Sequence, residues 1–505
     1  MSSLVDSFSQ FSTATTALIL LSVLCYFLGS ITYNLFLHPL RRYPGPKLWA
    51  MSRVPFSYNY MSGSAHKKIL ELHQQYGDVV RIAPNELIFG YPEAWNDIMG
   101  HRKRDQEENG KDPDFWRDND DLTLVGSNRE RHRRIRKILS HGFSAQAMID
   151  QQPLFQGYVS LLMDRLKTAS AGGEAQDMVS WYNWATFDMI GDLVFGEPFG
   201  CLETSSYHPW VKLIFKHIKG MAIANSVVKF PLASTLLKLM IPKDVSRDIE
   251  AHFKLTEAKV AKRLAIEVDR PDFMQSIIWA RDKSQISHPE ILANAHNLIV
   301  GGSETTATVL SGATYLLATN KPVQAKLIEE IRSKFNSEDE INLLSVQKLS
   351  YMLAVFHEVL RLYPAVPSAI PRKAPPQGTT IRGEYVPPEL ITLSTQTILS
   401  IWSWPMFHNP KFFKDPESFI PERWLGDPRF DGDQKKALQP FSVGPRDCIG
   451  KNLAYAEMRL ILARMIWNFS LELDPRSEGW MEKNILYFLW EKPMLFIRLV
   501  PRAME

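Results

Sequence analysis

FSVGPRDCIG, residues 441–450, is the stretch on which the reading of this 505-residue chain turns. Gly444 and Pro445 make a turn, Cys448 stands alone on it, and Gly450 lets the backbone pass close to something flat or bulky. The next run, IGKNLAYAEMRLILARMIWNF over 449–469, repeats apolar residues every three to four positions and predicts one amphipathic helix. A helix that begins directly after a cysteine aims unpaired N–H groups and the positive end of its dipole at the sulfur, which favours thiolate over thiol. Arg446 adds positive charge nearby. One thiolate on a rigid loop can ligate a haem iron on one side and leave the other side free. It cannot build a structural zinc site, which needs four ligands.

The other cysteines, Cys25 and Cys201, lie far away in sequence. Three sparse, widely spaced cysteines are not a disulfide framework, and they suit a reducing compartment. Hydrophobic residues make up 45% of the chain and charged residues 22%, the balance of a globular protein with a large core. A net charge of only +3 gives no indication of nucleic acid. No linker or repeat divides the chain after about residue 40, so residues 51–505 are expected to form one domain.

The N-terminal segment reads differently. Residues 17–37, ALILLSVLCYFLGSITYNLFL, carry no charge and are weakened as an apolar run only by Ser22, Ser30, Thr32 and Asn34. At about 1.5 Å per residue they are long enough to cross a hydrocarbon layer of roughly 30 Å. Arg41, Arg42 and Lys47 follow, whereas the preceding tail 1–16 carries only Asp6. The positive-inside rule therefore leaves the body in the cytosol. A cleaved signal peptide is the competing reading, but the run exceeds the usual signal core and no basic segment precedes it. Pro39, Pro44 and Pro46 make residues 38–50 a stiff hinge.

Along the body, residues 78–90 predict two strands with Pro84-Asn85 at the turn. Helical patterns dominate from about 128 to 370, and residues 380–394 return to strand-like runs. Residues 287–320 predict one long helix, with Ser287 as N-cap and Glu290 completing a capping box. Its middle, Gly301-Gly302-Ser303-Glu304-Thr305-Thr306, is made mostly of poor helix formers. Such a break inside a strong helix marks a site. The glycines leave room for a ligand, or serve a close helix crossing. Glu304 and Thr305 set an acid beside a hydroxyl, a pair able to pass protons to dioxygen.

Glu358 and Arg361 sit three apart on a predicted helix that ends at Pro364. The same spacing recurs at Glu130/Arg133, Glu267/Arg270 and Glu329/Arg332, and taken alone it describes a solvated pair. Residues 128–137, NRERHRRIRK, carry six basic residues, most of which belong on an exposed helix face.

Taken together these motifs resemble the cytochrome P-450 family. Phe441, Gly444, Arg446, Cys448 and Gly450 match its cysteine signature Phe-x-x-Gly-x-Arg-x-Cys-x-Gly, and 301–305 is similar to its oxygen-binding motif. Glu358, Arg361 and Arg423, the last in Phe419-Ile-Pro-Glu-Arg-Trp424, match its structural charge triad. HPLRRYPGPK and YGDVVRIAPNEL look like segments of filamentous-fungal biosynthetic members. The resemblance implies a mainly α fold with small β-sheets, a helical prism behind an N-terminal transmembrane helix. It implies haem b ligated by Cys448, with Arg136, Arg372, Arg446 and His132 toward the propionates. His132 stands where the family often has Trp. Asn297, Val300, Gly301, Val366 and Ile370 would line the substrate pocket. The implied activity is a monooxygenase that uses O2 and NADPH-derived electrons on an apolar small molecule of terpenoid, polyketide or alkaloid type. Its partners would be a flavoprotein reductase and cytochrome b5, at the endoplasmic reticulum membrane. This chain shows no dinucleotide fingerprint of its own. A reductase-independent isomerase or dehydratase, and a non-catalytic haem binder, are the alternatives; the Glu304-Thr305 pair argues against both.

Overall fold

In the computed structural model, which describes residues 2–103, 106–112, 114–116, 121–209, 211, 220, 223–230, 243–266, 268–388 and 396–502, the helix expected over 287–320 runs from His288 to Thr319. The Ser287 backbone N–H donates to the Glu290 carboxylate at 2.9 Å, closing the expected capping box. This helix is the axis of the fold. It packs along helix Met178–Phe195, against Ser350–Leu362, and against Lys451–Asn468.

The helix after the cysteine starts at Lys451, with Gly450 at its N-cap. It differs from the amphipathic expectation: from Leu453 to its end no residue is exposed. It is wedged among Gln152–Ala169, Lys321–Lys334 and the long helix, and a helix covered on all sides needs no polar stripe.

Twelve short strands among the described residues complete the body. They are β1 (Val79–Ala83), β2 (Glu86–Phe89), β3 (Gly110–Lys111), β4 (Gln176–Asp177), β5 (Arg372–Lys373), β6 (Thr379–Ile381), β7 (Glu384–Val386), β8 (Ile398–Ser400), β9 (Phe469–Leu473), β10 (Ile485–Leu486), β11 (Trp490–Glu491) and β12 (Phe496–Pro501). The largest sheet has the order β1-β2-β8-β5-β3, and β2 runs parallel to β8. β1 and β2 form the expected hairpin around Pro84-Asn85, with a register irregularity before Ala83. β6 and β7 account for the first part of the strand-like stretch 380–394; residues 389–395 lie outside the described residues. One apolar cluster fills the space between the helices, and a second, built on Leu40, Leu87, Phe89, Trp95 and Leu399, lies against the large sheet.

At the N-terminus, helix Ser2–Thr32 continues through a wider turn, Tyr33–Leu37, and stops before Pro39. Residues Thr15–Leu37 are long and apolar enough to cross a membrane, a test that a signal sequence would also meet. Three polar side chains that weakened the run find partners. Ser22 and Thr32 donate to carbonyls four residues back, and Asn34 donates to Met51 O at 3.0 Å on the body.

Candidate active site

The cysteine loop is shaped by its backbone. Cys448 N–H donates to Phe441 O at 2.9 Å, closing the loop on itself. Gly444 has φ +82°, and a Cβ there would lie 2.1 Å from Met99 O, so only glycine fits. The Cys448 side chain is accessible. Its protein surroundings raise the thiol rather than lower it: the low-polarity setting outweighs the Gly450 N–H, Arg136 and Lys451, which favour thiolate. The Gly450 N–H at the helix terminus favours thiolate, as expected, but burial opposes it, and Arg446 is turned toward Glu108 and Ser127.

Across the long helix the side chains divide by face. Between Ser303 and Thr314, Thr305 is the one residue that is not buried. Gly301, a turn earlier, is exposed and has nothing within 4 Å of where a Cβ would stand. Asn297, another turn back, and Val300 are half-buried, and the Asn297 Nδ2 is buried without a partner among the described residues. Asn297, Gly301 and Thr305 thus form an i, i+4, i+8 stripe on one face. Gly302 points away from it: a Cβ there would lie 2.6 Å from Ile190, so this glycine serves the helix crossing. Glu304 points inward too, only 1% exposed, and accepts an ion pair from Lys492. Thr305 donates to Gly301 O at 2.7 Å, and no hydrogen bond joins it to Glu304.

A third group gathers at the edge of the large sheet. β3 pairs with β5 so that Lys111 stands opposite Arg372. Arg446 donates to Glu108 at 2.7 Å and to Ser127 O at 2.8 Å. Arg136 bonds Asp447, with 2.7 Å to its carbonyl. Arg372 is 3% exposed, and its only side-chain hydrogen bond among the described residues goes to the Met99 sulfur. Lys111 has no carboxylate partner either; its ammonium lies 4.7 Å over the Trp116 ring. Mutual repulsion is plain in the acid–base behaviour. Burial and the Arg372 and Arg446 guanidiniums hold Lys111 well below the lysine range. Burial and the same cations, with Arg136, bring His132 down to about 3, so its imidazole is neutral. Half-buried Lys111 and buried Arg372 bond no carboxylate among the described residues, and Glu108 is the one anion that favours their charged forms; a ligand with two carboxylates would satisfy both. An accessible thiol, a helix face left open at Gly301 and the Lys111–Arg372 pair fit haem and its propionates.

Comparison with known proteins agrees. The cytochrome P-450 family profile matches residues 43–497. Trichothecene C-15 hydroxylase of Fusarium sporotrichioides is 45% identical over 95% of this chain and 96% of its own length. Averantin hydroxylase of Dothistroma septosporum is 42% identical over 96% and 91%.

The chain is a cytochrome P-450. It is accordingly a haem-thiolate monooxygenase, and the residues that carry its family motifs can be placed. Glu358, Arg361 and Arg423 are fully buried and bonded: Arg361 reaches both Glu358 oxygens, at 2.8 and 3.0 Å, and Arg423 reaches one at 2.9 Å. Arg423 also pairs with Asp433, which balances the charges and which the motif did not reveal. Among the described residues neither Glu130/Arg133 nor Glu329/Arg332 forms an ion pair; Glu267 lies outside the described residues, and Arg270 pairs with Asp192 and Asp272. In the basic helix Arg129–Leu139, Arg131 and Arg134 are not free surface charges; both pair with Glu290 at the start of the long helix. Phe441 is half-buried, its ring 5.3 Å from that of Tyr455. At Gly450 a Cβ would lie 3.9 Å from the Cys448 sulfur. Val366 and Ile370 are half-buried in the loop before β5. Sequence reasoning missed Lys111 and Lys492: strand pairing brings the first to Arg372, and folding of the C-terminal hairpin brings the second to Glu304. Neither had a sequence signal.

Proposed function

We propose that this cytochrome P-450 inserts one oxygen atom from O2 into an apolar secondary-metabolite intermediate of terpenoid, polyketide or alkaloid type. NADPH-derived electrons arrive through a separate cytochrome P-450 reductase, with cytochrome b5 as a second donor. The observation that carries the reading is the accessible Cys448 thiol accompanied by Lys111 and Arg372, which stand opposite each other across β3 and β5 and bond no carboxylate among the described residues. The hydroxylase names of the relatives support the reaction class. Haem, when bound, supplies the redox chemistry that activates dioxygen.

The chain's own groups do the rest. Cys448 binds the iron. Arg372, Lys111 and Arg446, with neutral His132 as a hydrogen-bond donor, hold the propionates; Arg136 props the cysteine loop through Asp447. Phe441 and Gly450 shape the ground beside the sulfur. Gly301 keeps the helix face clear, Thr305 holds a hydroxyl proton on that face, and Glu304 supplies protons from behind it. Asn297 offers an unpartnered amide to the substrate, and Val300, Val366 and Ile370 offer apolar wall. Residues 17–37 anchor the protein in the endoplasmic reticulum membrane, with tail 1–16 before them, hinge 38–50 after, and body 51–505 in the cytosol.

The test combines spectrum and turnover. The reduced, carbon monoxide-treated protein is expected to show the red-shifted Soret absorption of thiolate-bound haem, lost in Cys448→Ala. Product is expected only when NADPH and reductase are both present; product without them would make the enzyme an isomerase or dehydratase. Thr305→Ala should keep the spectrum while product formation falls on the order of a hundredfold and hydrogen peroxide rises.

A further inference from the structure

Lys492 lies in the last segment of the chain, just past β11, and reaches the middle of the long helix. Its ammonium, with the side chain 3% exposed, donates to Glu304 Oε1 and, at 2.9 Å, to Thr308 Oγ1 one turn further along. The other Glu304 oxygen, Oε2, is buried and has no partner among the described residues. Burial holds that carboxyl above the usual carboxylate range, and Lys492 is the largest influence pulling it back toward the ionised form. The remaining titratable groups that sense Glu304 are two phenols. Tyr363, on the helix Ser350–Leu362 side, donates to Asn484 at 2.8 Å. Tyr207 is held up to about 12. Both are neutral, so among the described residues Lys492 is the group that supplies positive charge to the acid.

The lysine is also held in place before any reaction. Trp490, two residues before it, donates from its indole to Pro364 O at 2.9 Å and stacks on Tyr363 with centroids 5.1 Å apart. Pro493, directly after it, accepts from Trp480 at 2.9 Å. Backbone fixed on both sides spends little entropy to present the ammonium. A pair built only to add stability would be a poor use of this location, because burying two charges roughly cancels their attraction. The partly satisfied carboxylate makes sense instead as a working group, with one oxygen tethered and the other left to take up and release a proton.

We propose that Lys492 is a positioning residue for the oxidation: it holds Glu304 as a tethered carboxylate with Oε2 free, and so sets the pH range over which protons reach Thr305. This rests on the reading of Glu304 as proton donor to that face.

The experiment uses the full-length, haem-loaded protein with its reductase. Lys492→Met is compared with Lys492→Arg, Glu304→Gln and the Lys492→Met/Glu304→Gln double variant. Infrared spectroscopy across neutral pH reads the state of the carboxyl, and product formed against peroxide released reads proton delivery. In Lys492→Met we expect a protonated carboxyl band at neutral pH that vanishes in the double variant. Product yield per NADPH should fall roughly tenfold, and Lys492→Arg should restore most of it. A carboxyl that stays ionised in Lys492→Met, or an unchanged partition between product and peroxide, overturns the proposal. Should Lys492→Met fail to hold haem, Lys492→Gln, uncharged but still a donor, is read by the same criteria. If Glu304→Gln uncouples turnover while the lysine variants do not, only the role of Lys492 falls. If Glu304→Gln changes nothing, the proton-donor reading falls with it.

Discussion

Glu457 is a buried acid that no motif marks. It sits on helix Lys451–Asn468, 1% exposed, faces Thr306, and neither carboxylate oxygen has a hydrogen bond among the described residues. Burial raises its acid from 4.5 to about 8, with only the Thr306 hydroxyl opposing. The folded protein therefore keeps this proton where the unfolded chain has lost it. Stability should fall as pH rises from 4.5 to about 8 and level off above. By about pH 7 the accumulated loss is on the order of 3 kcal/mol. Glu457→Gln should flatten the dependence of Tm on pH across that window; an unchanged slope would place the titration elsewhere. At this same scale the neighbours Glu304 and Thr305 part company. Adjacent residues on a helix differ by about 100° in direction, so an acid and a hydroxyl side by side in sequence face different surroundings. Sequence adjacency named the pair, but only packing showed that Thr305 lies on the face with Gly301 while Glu304 is buried behind it.

Between elements, the Glu358 network does for the cysteine side what a cap does for a helix. Arg361 donates to Ser418 O and Phe407 O, and Arg423 donates to Lys414 O, so helix Ser350–Leu362 holds the irregular segment 414–433 through side chains alone. Removing the central carboxylate leaves Arg361 bonded to no carboxylate among the described residues and Arg423 with Asp433 alone. Glu358→Gln should cost roughly 3–5 kcal/mol, read as a lower Tm and weaker haem retention. The exposed Glu329→Gln is the control and should leave both unchanged. The spacing was legible at four places in the chain, and motif order chose the right one; Asp433 was invisible because its relation to Arg423 is made by a loop. The long helix shows the opposite balance. Its bounds, cap and glycine break were all readable, since caps and propensities are local. The division of labour between Gly301 and Gly302 was not, because it depends on Ile190 from another helix.

At the scale of the whole molecule, the N-terminal apolar segment and the body meet at Asn34, whose amide donates to Met51 O and whose carbonyl accepts from buried Arg81 at 2.9 Å. Removing residues 1–32 spares that junction. We expect the truncated protein to keep its thiolate-type spectrum and to leave the membrane fraction at moderate salt; retention there would point to a second apolar surface. The sequence by itself determined the family, the cysteine signature around Cys448, the apolar N-terminal run and the positions of the main helices. Each of these is written in local spacing: a fixed loop, an uninterrupted apolar run, a 3.6-residue period. Only the tertiary structure decided that the helix after Cys448 is enclosed on all sides, that Lys111 joins Arg372, and that Lys492 meets Glu304 across 188 residues of chain. Those contacts join segments remote in sequence, and a lysine in an unremarkable stretch carries no mark of the carboxylate it will meet after folding.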